Sequence, residues 1–436
     1  MTVVRTARAG AAHRVAALAE QVLGGPLPVR LRAWDGSETG TAGAPVVVVR
    51  SRRALRRLVW QPGELGLARA YVTGELDVEG DLAEGLRTVW AAVREGGLRA
   101  PRLTPADRVA AAGAALRLGA VGPRPAPPAS EARLSGGLHS RARDRAAVSH
   151  HYDLSNDFYR LLLDDTMAYS CGYWASDEPG FTAADAQRAK LELVCRKLGL
   201  APGARLLDIG CGWGSLTLYA AERHKARVTA VTLAREQAAY VREQVRERGL
   251  DGQVDVVCQD YRDIGGGAYD AVATIEMGEH VGDAEYPGFA AALHRLVRPR
   301  GRVLVQQMSR GRVAPGGGAF IEAYVAPDMH MRPVGETVGL LERAGLEVRS
   351  IESMREHYVR TVAAWHRTLE ERWNEVVALV GAETARVWRL YLAGGALAFE
   401  ERRMGVDQIL GVRPSREGGA GLPGTPADWY AGLDRP

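Results

Sequence analysis

The segment from Leu206 to Ser215, LLDIGCGWGS, constrains the fold of this chain more than any other feature. An apolar run ends at Ile209, a glycine-rich turn follows, and a segment with helical spacing begins after the turn. Gly210, Gly212 and Gly214 allow the backbone to approach a ligand with no Cβ atom in between. Such a turn lies at the carboxyl edge of the strands in open α/β sheets, where ligands bind. The segment therefore predicts a nucleotide-type site in an α/β fold.

The same alternation of apolar runs and helical segments continues along the chain. Apolar runs of this kind are typical of strands covered on both faces, which predicts a mainly parallel sheet between helices. The predicted strands are Arg205–Ile209, Arg227–Leu233, Val254–Gln259, Tyr269–Met277 and Gly301–Met308. The predicted helices are Trp213–Glu222, Ala234–Arg248, Val359–Gly381 and Ala385–Arg403.

Composition divides the chain into four parts. Residues 1–120 combine a predicted helix at Ala11–Leu23 with a short strand at Val46–Val49, which indicates a smaller α+β N-terminal domain. Residues 121–148 are rich in proline and glycine and are predicted to form a flexible linker. The alternating α/β domain occupies residues 149–410, and a loose tail is expected over 411–436.

Charge and cysteine content narrow the functional classes. The chain has 56 basic and 52 acidic residues, and a net charge of +4 is too small to indicate a nucleic-acid-binding protein. The four cysteines are far apart in sequence, which argues against a disulfide framework or a zinc site, and we expect no metal. No apolar run approaches the length of about 18 residues that a membrane span needs. We expect a cytoplasmic protein that reaches any lipid from the membrane surface.

The glycine spacing distinguishes between possible cofactors. A dinucleotide site would have G-x-G-x-x-G and an acidic residue at the end of the next strand. This chain has G-x-G-x-G preceded by Asp208, and its second strand ends in Thr232 and Leu233. S-adenosylmethionine fits this pattern better, because it has no pyrophosphate and its ammonium group can meet an acid near the turn.

Several motifs occur in the order found in one enzyme family. They are SHHYDLSNDFYRLLLDDTMAYSCGYW (Ser149 to Trp174), LLDIGCGWGSLTLYAA, AVTLAREQ, QDYRD and MGEHVG. In these motifs the chain resembles the cyclopropane fatty acid synthases and the mycolic acid cyclopropane synthases over about residues 149–410. The resemblance implies a Rossmann-like class I methyltransferase domain with added helices. It also implies S-adenosylmethionine-dependent modification of cis double bonds in lipid acyl chains at the membrane surface.

The resemblance assigns roles to individual positions. The implied cofactor contacts are Tyr169, Ser170, Asp208, Gly210, Gly212, Gly214, Thr232, Leu233, Gln237, Tyr261 and Arg262. Members of the family hold a bicarbonate that serves as base, and the matching residues here are Cys171, Glu279 and Tyr358, with His280 beside them. Rings that can stabilise a carbocation, and so contact the substrate, are Trp174, Phe320, Tyr324 and Trp365.

Two positions depart from the family pattern. The residue before Glu279 is usually bulky but is Gly278 here, and a histidine of the bicarbonate pocket is replaced by Gln306. The stretch from Pro315 to Val334 also departs, and is more similar to the actinobacterial branch that makes 10-methylene fatty acids. Our hypothesis is that Gln306 and Gly278 delay deprotonation, so that Gln306→His with Gly278→Phe should raise the cyclopropane share.

We therefore expect methylenation of an unsaturated acyl chain, oleoyl in phospholipid, to a 10-methylene chain. Cyclopropane formation is the alternative within the same class. A non-catalytic lipid-binding protein and a small-molecule N- or O-methyltransferase are alternatives of other classes. The expected partners are membrane phospholipid acyl chains at the inner face of the membrane and a separate reductase that saturates the methylene group. The N-terminal domain is expected to position lipid or to mediate homo-oligomerisation.

Overall fold

The chain forms two compact units, which we describe separately. A computed structural model describes residues 10–95, 113–132, 136–137, 143, 155–265, 269–311 and 317–435. The first unit comprises Met1–Glu131 together with Gly381–Leu397, and the second comprises Ala132–Val380 together with Ala398–Pro436. Much of the predicted linker and the start of the Ser149–Trp174 motif lie outside the described residues.

The first unit is built on a four-stranded sheet in the order β2-β1-β3-β4. Its strands are β1 (Arg30–Ala33), β2 (Glu38–Thr39), β3 (Val46–Val49) and β4 (Leu76–Glu79). Its first helices are α1 (Ala11–Leu23), α2 (Arg52–Trp60), α3 (Glu64–Val72) and α4 (Leu82–Arg94). The Ser51 side chain accepts from the Arg53 N–H and the Asp81 side chain from the Ala83 and Glu84 N–H groups, which fixes where α2 and α4 begin. Helix α1 and strand β3 have the bounds predicted from the sequence.

The second unit contains a seven-stranded sheet in the order β10-β11-β9-β8-β5-β6-β7. Strand β11 pairs antiparallel with both of its neighbours, and the other described pairings are parallel. The strands are β5 (Arg205–Ile209), β6 (Arg227–Thr232), β7 (Val254–Cys258), β8 (Tyr269–Ile275), β9 (Val297–Ser309), β10 (Glu347–Ser353) and β11 (Gly405–Val412). This arrangement confirms the α/β fold class.

Helices flank this sheet and supply much of its core. They are α5 (Asn156–Leu162), α6 (Ala183–Leu198), α7 (Ser215–His224), α8 (Arg235–Glu247), α9 (Tyr286–Leu296), α10 (Ala319–Tyr324), α11 (Val334–Arg343) and α12 (Arg355–Glu371). Helix α13 (Trp373–Glu400) is divided between the two units, and α14 (Ala427–Tyr430) follows in the second. Buried apolar side chains of β5, β8 and β9 pack against α9 and α11, as expected for strands covered on both faces. Within the described residues, no helix has both the length and the apolar character needed to cross a membrane.

Three features differ from the sequence-based expectations. Strands β10 and β11 were not predicted, and β11 extends into the tail that was expected to be loose. Beyond it, Trp429 and Leu433 are buried against α6, so part of that tail is packed. Helix α13 is interrupted at Gly381, whose φ of 79° is left-handed, and its next segment, Gly381–Leu397, belongs to the first unit.

Candidate active site

A cleft opens at the carboxyl edge of β5, β6, β7 and β8 in the second unit. The predicted cofactor residues that line it are Tyr169, Ser170, Asp208, Gly210, Gly212, Thr232, Leu233, Gln237, Tyr261 and Arg262. The cleft thus brings together residues from five separate sequence segments. Gly214 is the exception, because it lies behind the turn at the start of α7.

The glycine turn after β5 has the backbone conformation that its sequence predicts. Gly210, Gly212 and Gly214 have φ values of 79°, 54° and 82°, in the left-handed region that side chains disfavour. A Cβ atom on Gly210 would lie 3.2 Å from the Met277 side chain, and one on Gly214 would lie 3.0 Å from Val241. A Cβ atom on Gly212 would meet nothing within 4 Å. The turn is therefore a tight, open cradle of backbone, which fits the adenosyl cofactor implied by the sequence.

A buried acid and a buried lysine lie beneath this cradle. The Asp208 carboxylate accepts a hydrogen bond from Thr217 Oγ1 at 2.7 Å, and burial raises the pKa of Asp208 to about 6. Lys190 Nζ donates to Ser170 Oγ at 3.0 Å, and burial lowers the pKa of Lys190. Both side chains line the cleft. They offer one carboxylate and one ammonium group to the two charges of a bound amino acid.

Polar side chains at the ends of β6 and β7 hold each other in place. Thr232 Oγ1 donates to Gln237 Oε1 at 2.8 Å, and both residues are buried. Asp260 receives hydrogen bonds from the Arg262 backbone N–H at 2.9 Å and from Arg262 Nη2 at 2.7 Å. No group of three or more His, Cys, Asp or Glu side chains suited to a metal ion occurs in the described part of the chain.

The cleft also contains a partly buried carboxylate at the end of β8. Glu276 Oε1 accepts from the Cys171 backbone N–H at 2.8 Å and from Gln306 Nε2 at 2.9 Å, while Glu276 Oε2 accepts from Tyr358 OH at 2.5 Å. Burial raises the pKa of Glu276, and the hydrogen bond from Tyr358 opposes that shift. The φ of Glu276 is 50°, which costs about 1 kcal/mol for a residue with a side chain. Its backbone N–H donates to the Gln306 carbonyl at 2.6 Å and helps to hold this conformation.

Comparison with known proteins identifies the family. Residues 139–409 match the family described as mycolic acid cyclopropane synthetase. A probable fatty acid methyltransferase from Pseudomonas putida is 36% identical over 412 residues, which span 93% of this chain and 96% of that protein. The tuberculostearic acid methyltransferase UfaA1 from Mycobacterium tuberculosis is 32% identical over 400 residues, 89% of this chain and 88% of that protein.

A solved structure extends the match to the fold. The crystal structure of mycolic acid cyclopropane synthase CmaA1, complexed with SAH and CTAB, shares 30% sequence identity and a TM-score of 0.58. The alignment covers 61% of this chain and 97% of that one. This chain belongs to the mycolic acid cyclopropane synthetase family. It is an S-adenosylmethionine-dependent methyltransferase of that family, with the class I fold.

The residues expected to hold the bicarbonate of cyclopropane synthetases are arranged differently from the expectation. Cys171, Gln306 and Tyr358 do lie together, but they donate to Glu276, which we did not assign from the sequence. Burial raises the pKa of the Cys171 thiol well above its usual value, so its contribution is the backbone N–H. A bicarbonate does not fit here, because a carboxylate of the chain itself already uses these donors.

Glu279, predicted to take part in the chemistry, is fully buried and does not line the cleft. Its carboxyl oxygens have no side-chain hydrogen-bond partner among the described residues. Burial raises its pKa well above the usual range, and the nearby Glu276 charge raises it further. The environment of Glu279 therefore favours its neutral form. His280, on the same 3₁₀ turn (Gly278–His280), does line the cleft.

The space beside Gly278 is filled by another side chain. A Cβ atom on Gly278 would lie 1.9 Å from Gln307 Oε1. That oxygen accepts a hydrogen bond from Tyr286 OH at 2.6 Å, and Gln307 Nε2 donates to Thr337 Oγ1 at 3.1 Å. Gly278 therefore provides room for Gln307, whose side chain fills the volume that a bulky residue at 278 would occupy.

The predicted aromatic residues fall into two groups. Trp365 is buried between Tyr169, with ring centroids 5.3 Å apart, and Tyr358, at 6.2 Å. It therefore connects a ring that lines the cleft to the ring that binds Glu276. Phe320 and Tyr324 pack on each other on α10, at 5.5 Å, and do not line the cleft. Trp174 lies under the Arg360 guanidinium at 4.3 Å and donates to Thr361 Oγ1, so its position is one of packing.

Glu276 and Lys190 are the site residues that sequence reasoning missed. Glu276 lies at the carboxyl end of the predicted strand Tyr269–Met277, and carboxyl strand ends are where functional side chains of such sheets lie, so its position was a usable signal. Lys190 lies inside helix α6, where a lysine normally faces solvent, and no local pattern indicates that it is buried.

Proposed function

We propose that this cyclopropane synthetase family member methylates the cis double bond of an unsaturated acyl chain, oleoyl in phospholipid, and releases a 10-methylene chain. The observation that carries the proposal is the partly buried Glu276 carboxylate in the cofactor cleft, which accepts a hydrogen bond from Tyr358 OH and shares the cleft with the Tyr169 ring. The Tyr169 ring and the Glu276 carboxylate offer an apolar face and a proton acceptor in the same cleft. Those are the two properties that alkene methylation requires.

The chemistry follows from the weakness of an alkene as a nucleophile. Bound S-adenosylmethionine supplies an electrophilic methyl group. The side chains of the site align the double bond and keep water away while its π electrons form the new C–C bond. A carbocation then remains on the acyl chain, and an aromatic face in the cleft, such as that of Tyr169, can stabilise it through its quadrupole.

The product depends on where the cation lies when a proton leaves. Direct loss of a proton from the new methyl group with ring closure gives a cyclopropane. A preceding hydride shift moves the cation to the methyl-bearing carbon, and proton loss from the methyl group then gives an exocyclic methylene. The 32% identity to a tuberculostearic acid methyltransferase, together with the departures at Gly278 and Gln306, supports the methylene product.

Cyclopropane formation is the second candidate. It is favoured by the alignment with a cyclopropane synthase structure, which covers 97% of that chain. Under the methylene proposal, a separate reductase would saturate the exocyclic double bond to give a methyl branch. We also propose that the enzyme works at the inner face of the membrane, where phospholipid acyl chains can reach the cleft, and that it can form homo-oligomers.

The test is to incubate the purified full-length chain with methyl-labelled S-adenosylmethionine and dioleoyl phospholipid vesicles, and to analyse the recovered fatty acids by NMR. We expect vinylidene proton signals from a 10-methylene chain. Upfield cyclopropane signals would support the second candidate, because the two products are isomers of equal mass. Label in polar small molecules, or no transfer at all, would contradict both.

A further inference from the structure

The hydrogen-bond donors around Glu276 form an anion-binding site, and the Glu276 carboxylate of the chain itself occupies it. One backbone N–H, one amide and one phenol donate to its two oxygens, at 2.8, 2.9 and 2.5 Å. An ionised carboxylate has about four lone-pair positions for hydrogen bonds. Three are used here, so one remains available to receive a proton.

A chain of buried amides orients this site. Lys197 Nζ donates to Gln408 Oε1 at 2.8 Å, Gln408 Nε2 donates to Gln306 Oε1 at 2.9 Å, and Gln306 Nε2 donates to Glu276. Each amide accepts on the side of the lysine and donates on the side of the carboxylate. The direction of the hydrogen bonds therefore runs from a buried cation to Glu276, which stabilises negative charge there.

The backbone at Glu276 points to the same role. The left-handed φ of 50° is strained in a residue with a side chain, and strained positions of this kind concentrate at functional sites. Glu276 lines the cleft, whereas the buried Glu279 does not. Of these two carboxyl groups, Glu276 is the one that can meet a substrate.

We propose that the Glu276 carboxylate is the base that removes the proton, in the place that bicarbonate takes in the cyclopropane synthases. This inference rests on the proposed function. A C–H bond of the transferred methyl group breaks, and its electron pair forms the π bond between that carbon and the adjacent cationic carbon, which gives the exocyclic methylene. The proton moves to a Glu276 oxygen and is released to water when the product leaves the cleft. The balance requires no other reactant.

The decisive experiment is an assay of the wild-type enzyme in buffer freed of dissolved carbon dioxide, with and without added bicarbonate. We expect methyl transfer to dioleoyl phospholipid to change by less than about twofold, because the base belongs to the chain. A rate that falls about tenfold or more without bicarbonate, and returns on its addition, would overturn the inference while leaving the proposed function intact. No lipid methylation under either condition would overturn both.

Two variants test the residue directly. Glu276→Gln should lower kcat by about 10²–10⁴-fold, since it removes the proton acceptor but keeps the shape of the side chain. Glu276→Gly should relieve the backbone strain, free the three donors and restore part of the rate when bicarbonate or formate is added. Wild-type rates in Glu276→Gln, or a Glu276→Gly enzyme that neither anion accelerates, would contradict the role of Glu276.

A matched control is available on helix α6. The Glu192 carboxylate also has three hydrogen-bonding partners, which are Arg196, Tyr219 and His224, but it does not line the cleft. Glu192→Gln should keep the wild-type rate within about twofold and remain insensitive to bicarbonate. If Glu192→Gln lost as much activity as Glu276→Gln, both substitutions would be acting through folding, and the evidence from the variants for Glu276 as the base would be overturned. The wild-type bicarbonate measurement depends on no variant.

Discussion

At the scale of single residues, the Gln307 side chain can take its position only because residue 278 is a glycine. The Gln307 amide occupies the volume that a side chain at 278 would need, and two hydrogen bonds to Tyr286 and Thr337 hold it there. The two family departures that we first considered, Gly278 and Gln306, therefore cannot be reversed without a third change. In the synthases that the chain resembles, the strand that carries the bicarbonate-pocket histidine reads L-L-H-T, so the histidine corresponds to Gln306 and the threonine to Gln307.

We predict that Gly278→Phe alone destabilises the enzyme, while Gly278→Phe with Gln307→Thr recovers most of the loss. The phenylalanine overpacks the site and breaks buried hydrogen bonds, each of which costs about 1–3 kcal/mol. Urea unfolding of the wild type, both single variants and the double variant would give the coupling free energy. Additive free energies of unfolding would contradict the steric pairing. Gln306→His added to the double variant is then the proper test of the cyclopropane share.

Asp208 is predicted to lower the stability of the ligand-free enzyme at neutral pH. Its pKa of about 6 in the folded chain exceeds the reference value of 3.8, so the folded state binds the proton more tightly. The free energy of unfolding is therefore highest, as far as Asp208 is concerned, below pH 4. It falls by about 3 kcal/mol as the pH rises through 6 and the buried carboxyl group ionises. Asp208→Asn should therefore raise Tm at pH 7.5, because the amide oxygen can still accept from Thr217.

The same substitution should weaken cofactor binding. An amide cannot supply the negative charge that we expect the cofactor ammonium group to meet. Isothermal titration with S-adenosylhomocysteine should show weaker binding to Asp208→Asn, and wild-type affinity should fall as the pH drops from 7 to 5. Unchanged affinity in the variant would contradict the assigned contact. A lower Tm of Asp208→Asn at pH 7.5 would contradict the prediction that the ionised Asp208 carboxylate destabilises the folded chain.

The glycine turn was predictable from sequence, while the environment of Glu276 was not. Gly210 and Gly212 carry their conformational preference within the residue itself, so a local pattern identifies them. The partners of Glu276 lie far from it in sequence: Cys171 comes 105 residues before it and Tyr358 comes 82 residues after it. Only the folded structure shows that Cys171, Gln306 and Tyr358 all donate hydrogen bonds to a carboxylate of the chain itself.

At the scale of elements, strands β5 to β9 were predictable because each contains a run rich in apolar residues, although β9 begins at Val297, before the predicted start at Gly301. Strand β11 was not, although it lies inside the sheet between β9 and β10. Its sequence, GVDQILGV, contains Asp407 and Gln408, and the residues that follow are rich in glycine and proline. Those polar side chains are buried by specific partners: Asp407 accepts from Ser309, and Gln408 bonds Lys197 and Gln306. Periodicity cannot reveal such pairing, because it is set by register across strands.

At the scale of the whole molecule, the first unit depends on a segment that comes late in the sequence. Arg386 Nε donates to the Tyr71 carbonyl at 2.6 Å, and its guanidinium lies over the Tyr71 ring at 4.1 Å. Ala393 is buried with Tyr71 and Leu82. The sequence could not predict this return of the chain, because the segment has the apolar pattern of an ordinary helix in a continuous domain.

We predict that deletion of residues 1–120 lowers Tm by more than about 5 °C and promotes aggregation, since it exposes the face around Arg386 and Ala393. Loss of activity on vesicles would then report folding, so the deletion cannot by itself test a role in membrane positioning. Val59→Ser with Leu67→Ser is the better probe, because both side chains are about half exposed, at 53% and 48%. That variant should keep Tm within about 2 °C and bind vesicles less tightly. A deletion variant with wild-type Tm would contradict the prediction.

The position of β11 also has a consequence for biosynthesis. As the chain emerges from the ribosome, β9 is complete long before its antiparallel neighbour is made, so one edge of the nascent sheet stays open in the meantime. Gln408 arrives with that late strand and fixes the amide that faces Glu276. Gln306, which donates to the proposed base Glu276, is thus fixed by its partner Gln408 only after β11 has been made, and a nascent chain without β11 lacks that contact.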